Sequence, residues 1–318
     1  MNRDNASILK NEETRFAIKW DQFFFSPANS LPLTIIRILA GIEMMFLWWS
    51  WSPDLQQWFG PNGLISQDLL QQWRGGWAFS IFDRTTTESS LWAAYGAGFV
   101  AFFMLTAGVA TTGAAVAAIF FWISLLHRGP MLAGSADDVM TIVLFCLVIG
   151  PSGAQISVDR MIGWNRQELV SWRAGLALSL LKLHAVAITA SSLLAQLRGD
   201  VWWDGTAAWW MVSRIESSLI DLTWISQSQY LINILTHAIT VFEFVFIFGV
   251  WNKKMCPYVA GAALVCWPLI GLLAGEIPWG IAMAILSISF VRAHRISEVM
   301  HGMTGWKISR PNHLPTVL

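Results

Sequence analysis

Charge is what this chain has least of. Lys, Arg, Asp and Glu make up 13% of the 318 residues, about half of the roughly 25% that coats a soluble globular surface. The 20 basic residues balance the 20 acidic ones, and 55% of the chain is apolar. That composition excludes disorder and a collagen-like repeat, and it leaves no basic face for nucleic acid. Cysteine is also scarce. Cys146, Cys256 and Cys266 all fall inside apolar runs, where a thiol behaves as a small hydrophobe and has no loop partner for a bridge. A disulfide-stapled secreted module is therefore excluded. There is no HExxH, no His pair at i and i+4 and no CxxC, so no metal site is expected; the phosphate-binding glycine loop and GxSxG are missing as well. The first thirty residues mix charges of both signs and have no early apolar core or small-residue cleavage site, so no cleaved signal peptide is expected.

Long apolar runs are plentiful. A hydrocarbon core of about 30 Å takes around 20 helical residues, and residues 32–51, 91–110, 174–195, 230–251 and 278–292 fit that yardstick. Three shorter runs, 113–127, 137–151 and 257–274, bring the expected number to about eight. The fold class expected is all-α, a polytopic membrane bundle. Its parts are a cytoplasmic segment 1–30, a transmembrane domain 31–292 and a cytoplasmic tail 293–318. Ser30 and Pro32 supply helix-start chemistry for the first span. Eight spans with both termini inside place 13 of the 20 basic residues in cytoplasmic segments and 5 outside, Arg37 and Lys182 lying within spans. This is the asymmetry that the positive-inside rule demands.

Two outer segments are too apolar for plain loops. Residues 53–90 carry a turn-rich Phe59-Gly60-Pro61-Asn62-Gly63 and then Leu64, Ile65, Leu69, Leu70 and Trp73 among polar residues, the pattern of a short interfacial helix. Residues 199–229 hold Trp202, Trp203, Trp209 and Trp210; they read as a lid over the bundle or as anchors in the headgroup layer. Gly271 and Gly275 form a GxxxG spacing that suits close internal packing or dimerisation.

An ionisable side chain at membrane depth costs several kcal/mol and asks for a partner, a wet cavity or a task. The candidates are Arg37 and Glu43 on the first span, Asp137 and Asp138 opening the fourth, Lys182 and His184 on the fifth with Gln196 at its end, His237 and Glu243 on the sixth, and Glu276 between the last two. Each has a plainer reading. His184 and His237 suit structural hydrogen bonds between helices, and Asp137 with Asp138 suits a helix start. Lys182 suits snorkelling, and Arg37 suits an ion pair between helices. Lys182 and His184 lie about 200° apart on their helix, and His184 and Gln196 are about 18 Å apart along it, so a shared site needs several helices.

Several segments then fall into a familiar order: Ile36-Arg37-Ile38-Leu39-Ala40-Gly41; Trp58-Phe59-Gly60-Pro61-Asn62-Gly63; His127-Arg128 with Ala133-Gly134-Ser135-Ala136-Asp137-Asp138-Val139-Met140; Ile149-Gly150-Pro151-Ser152-Gly153 with Ile156-Ser157-Val158-Asp159-Arg160; and Lys182-Leu183-His184 running to Trp202-Trp203-Asp204-Gly205-Thr206-Ala207. Over about residues 20–295 the chain resembles the HTTM (horizontally transferred transmembrane) family, bacterial relatives of vitamin K-dependent gamma-carboxylase. The resemblance implies a multi-helix bundle in the bacterial inner membrane. In the carboxylase, a lysine near the end of a span acts as base toward vitamin K hydroquinone, and oxygenation to the epoxide drives proton removal from a glutamate. The position that matches it is Gln196, whose amide takes no proton at useful pH. Lys182 is about 21 Å away along the helix, and Arg198 stays protonated, suited to an anion and not to proton abstraction. The family's reactive histidine segment falls near Asp137, and no counterpart of the carboxylase's large lumenal domain is expected.

The expectation is therefore an HTTM-type membrane protein that binds a quinone (vitamin K-like), a lipid or a protein partner and is not a gamma-carboxylase. Arg37, Arg198, Trp202 and Trp203 are the candidate ligand-binding residues, with Gln196, Asp137, Asp138, His184, His237 and Glu243 as candidate reactive residues. Two rivals stand beside it. One is a quinone-coupled enzyme using Asp137, Asp138, Glu243 or His237 as base; the other is a transporter or maturation-complex subunit.

Overall fold

Each of the eight apolar runs is helical. The structure, a computed structural model, describes residues 18–60, 63–64, 69–70, 72, 79–164, 167–214 and 221–304. The helices are α1 (Leu31–Ser50), α2 (Glu88–Ala107), α3 (Thr111–Arg128), α4 (Ser135–Ile149), α5 (Trp172–Gln196), α6 (Gln229–Gly249), α7 (Cys256–Ala274) and α8 (Ile277–Ser287), the last running on as a 3₁₀ turn to Phe290. A ninth, α9 (Ala293–Thr304), follows. Local chemistry sets their ends. Thr87 and Ser90 form a capping box at α2, Ser171 and Ser228 cap α5 and α6, and left-handed Gly108 and Gly275 stop α2 and α7. The start of α1 differs from expectation: the Ser30 side chain does not cap it, and Asn29 Oδ1 accepts from Leu31 N at 2.8 Å instead.

Six helices, α1, α2, α3, α5, α6 and α7, are long and apolar enough to cross a membrane, and the bent pair α8–α9 makes a seventh if it is counted as one span. The difference from the expected eight is α4, whose 15 residues give about 22 Å of rise against a core of about 30 Å. Short helices persist at membrane depth when protein surrounds them. Buried from Ala282 to Ser287, α8 contacts α1, α4, α5 and α7. The chain is an all-α, multi-pass membrane protein.

Successive helices run in alternate directions, so their connections sort into two ends. At one end β1 (Ala28–Asn29) pairs antiparallel with β2 (Val170–Ser171), and Trp251 meets Phe23 at 5.9 Å and Phe290 at 6.2 Å. Exposed there are Lys19, Arg160, Arg173, Lys253, Lys254, Arg292 and Arg295 against Asp21, Glu168 and Glu298. At the other end the balance reverses, with exposed Asp54, Glu88, Asp138, Asp200, Asp204, Asp221 and Glu276 against Arg84, Arg198 and Arg214. We call these the basic and acidic ends. The interfacial helix expected within 53–90 lies largely outside the described residues. The Trp-bearing segment forms two short helices, Asp200–Trp203 and Ala207–Val212, and Ala208 and Val212 make a small second core with Ile225 and Ile232. It packs against the acidic-end parts of α6 and α7.

The main core centres on Trp48 of α1, fully buried and 5.0 Å from Tyr95, 5.1 Å from Phe102 and 6.4 Å from Trp122. Its Nε1 donates to Tyr95 O at 3.0 Å and the Tyr95 hydroxyl donates back to Trp48 O, so the large aromatic group is buried without a lost hydrogen bond. The GxxxG glycines pack within the chain. A Cβ on Gly271 would lie 2.9 Å from Gly280 Cα, and one on Gly280 would lie 2.6 Å from Trp267 O; Gly275 is the left-handed cap. Backbone here cannot retreat as a side-chain tip can. Gly280→Val is expected to cost about 1–3 kcal/mol by overpacking, read as a lowered melting temperature in detergent. Gly261→Ala, whose Cβ would point into open space, is the control, and equal shifts for the two would refute the close packing.

Candidate functional site

The interface between α5 and α6 carries a chain of polar side chains inside an apolar bundle. Residues Asn233, Thr236, Thr240 and Glu243 recur at three and four residues and so share one face of α6. On α5, Ser192 and Gln196 are one turn apart and meet them. Thr240 Oγ1 donates to Gln196 Oε1 at 3.1 Å, Gln196 Nε2 donates to Ser192 Oγ across a long 3.5 Å, and Ser192 Oγ donates to Glu243 Oε1 at 3.1 Å. All three donors point the same way, toward the carboxyl, so their dipoles reinforce one another. Gln196 is 5% exposed and Glu243 1%. The Gln196 amide also reaches toward the carboxyl, while Glu243 Oε2 has no hydrogen-bond partner among the described residues.

Toward the acidic end the same face of α6 meets the turn after the first Trp helix. Thr236 Oγ1 lies 3.0 Å from both Gly205 O and Ala208 N, donating to the carbonyl and accepting from the amide. Left-handed Gly205 (φ 72°) is required here: a Cβ would stand 2.9 Å from Asn233 Oδ1 and 3.2 Å from His237 Nε2. Asn233 Oδ1 is buried and has no partner among the described residues. His237 is exposed, so it marks where this polar face reaches the surface. Trp202 is half-buried against the core and its Cδ1 approaches Gly199. Trp203 is exposed, its Nε1 donating to Leu197 O at 2.9 Å, and Arg198 is exposed beside it.

The remaining candidates lie elsewhere. Asp137 accepts from Gly134 N at 2.7 Å at the start of α4, and Asp138 beside it is exposed. This is the helix-start reading, and no described hydrogen bond joins either residue to Gln196 or Glu243. His184 Nδ1 lies 2.8 Å from Leu180 O of its own helix, a local structural contact. Arg37 is not near the α5–α6 interface. It is buried at the basic end, donating Nη2 to Ile156 O at 2.5 Å and lying within electrostatic reach of Asp159. Asp159 in turn caps α3, accepting from Ala110 N, Thr111 N and Thr111 Oγ1 at 2.8–2.9 Å. Burial pushes the Asp159 carboxyl up, but the hydrogen bonds from Thr111 and Ala110 and the charge of Arg37 outweigh it and hold the group below its ordinary value. Glu43, 6% exposed, is a second buried acid, with neither oxygen partnered among the described residues.

Sequence reasoning thus named two members of the network, Gln196 and Glu243, with His237 at its rim, and missed Ser192, Thr236, Thr240 and Asn233. The signal was present as hydroxyl and amide residues at helical spacing on two spans. Hydroxyl residues are common at helix contacts within membranes, so their spacing alone does not single out a site. Chemically, the network offers an amide held in place from both sides and a carboxyl with one oxygen free to meet a hydroxyl or carbonyl group. Among the described residues there is no group of three or more His, Cys, Asp or Glu suited to a metal ion. Comparison of the chain with protein-family models, with curated proteins and with solved structures finds no match.

Proposed function

We propose that this is an HTTM-type protein of a bacterial inner membrane, its basic end cytoplasmic, which binds the polar head of a quinone-like or lipid-like molecule at the α5–α6 interface and does not carboxylate glutamate. The observation that carries the reading is the fixed amide of Gln196, held between Thr240 and Ser192, at the position where the family resemblance expects a basic lysine. A general base must first be basic, and an amide held by donor and acceptor is a binding group. The basic end faces the cytoplasm by the positive-inside rule, which puts the network and its Trp-bearing cover on the far side. Mass spectrometry of lipids and quinones extracted from the purified protein tests this directly. A stoichiometric bound molecule is expected, and its absence would move the weight to a partner-binding role.

The free Glu243 Oε2 favours a second reading, a quinone-coupled enzyme with Glu243 as base. Quinol-dependent oxygen consumption separates the two. Wild type is expected to be inactive and Gln196→Lys, which restores an amine at the family's base position, to gain turnover. Equal, robust turnover in both would show that Gln196 does not occupy that position.

A further inference from the structure

The bend after α8 brings a helix across the basic end. Ile277–Phe290 and Ala293–Gly302 meet at 111°, so with α8 near the membrane normal, α9 runs close to the membrane plane. Ala293, Ile296 and Met300 on one face are half-buried, while His294, Arg295, Glu298 and His301 are exposed. That division is the pattern of an interfacial amphipathic helix. Arg292 lies in the α8–α9 turn and Arg295 in the first turn of α9, Lys253 and Lys254 belong to the α6–α7 turn, and all four are exposed. The two turns are neighbours: the Trp251 ring is 6.2 Å from Phe290, and Cys256 Sγ donates to Phe290 O at 3.8 Å. Lys19 and Asp21 lie on the adjoining segment that Phe23 ties to Trp251, and Glu298 lies on α9. Four cations therefore surround one aromatic contact, and the local acids are fewer.

We propose that this surface, centred on the Trp251–Phe290 contact, docks the anionic head groups of phospholipids in the adjacent leaflet. Indole rings settle at headgroup depth, which sets the four cations at the phosphates. A Lys or Arg near an anionic membrane surface is worth about fivefold in binding, so four acting together give a selectivity that a single turn does not. The surface is separate from the α5–α6 network and requires no ligand there.

The test is native mass spectrometry of the full chain released from nanodiscs of equimolar phosphatidylglycerol and phosphatidylcholine. Wild type is expected to retain the anionic lipid over the zwitterionic one by more than about fivefold. In K253A/K254A/R292A/R295A the ratio falls to near one, and in R198A/R214A at the acidic end it stays at the wild-type value. Glu298→Lys supplies a change of opposite sign on the same surface and is expected to raise the ratio. A wild-type ratio near one, an undiminished ratio in the quadruple variant, a fall in R198A/R214A to match it, or no rise with Glu298→Lys would each overturn the proposal.

Discussion

Asp159→Ala is expected to cost about 1–3 kcal/mol of stability, for a lost helix cap and a buried cation left without its nearby acid. The loss has two parts. Asp159 caps the start of α3 through Ala110 and Thr111, which by itself is worth about 1 kcal/mol. The larger part is Arg37, 1% exposed, whose Nε and Nη1 have no hydrogen-bond partner among the described residues and whose guanidinium would then be buried without an acid nearby. A double variant, Arg37→Leu with Asp159→Ala, removes the orphaned charge and is expected to recover most of the loss. Unfolding in detergent followed by tryptophan fluorescence measures both, and a double variant as damaged as the sum of the singles would refute the coupling. The pH dependence has a definite sign. The folded Asp159 group lies below its ordinary value, so its contribution is complete above the unfolded carboxylate value of about 3.9 and is lost as pH falls through the lower, folded one. Wild type should therefore lose stability with acid in that window, and Asp159→Asn should lose less.

Glu243→Leu is expected to lower retention of the bound molecule by roughly 10–100-fold, the equivalent of one strong buried hydrogen bond of about 1.5–3 kcal/mol. It also strips Ser192 of its acceptor. Glu243→Gln keeps an acceptor for Ser192 Oγ at the Oε1 position and should fall between wild type and Glu243→Leu. Glu43→Gln, on the other buried acid, should leave retention unchanged, because nothing described connects Glu43 to Gln196. Quantitative extraction from equal amounts of each purified variant decides this. Equal retention in wild type and Glu243→Leu would place the ligand away from the α5–α6 interface and remove the basis for the binding proposal.

The glycine contacts explain why some of the fold escaped the linear reading. Gly271 and Gly275 matched a motif compatible with either internal packing or dimerisation, and only the position of Gly280 shows that the close approach is within the chain. Arg37 is similar. On a helix drawn alone it was as plausible near a ligand as in an ion pair between helices, whereas its counter-charge comes from Asp159, 122 residues later, on the segment joining α4 to α5.

Eight helical runs, their order and the excess of cations at one end were determined by the sequence alone. Apolar length and the placement of Lys and Arg are properties read residue by residue, because each side chain pays its own cost of transfer into hydrocarbon. Tertiary structure decided which helices are long enough to cross, that α8 is enclosed, and that Gln196 meets Glu243 through Ser192. Those outcomes depend on which faces meet. A hydrogen bond between two helices depends on their relative rotation and depth, which neighbouring helices set together and no single segment encodes.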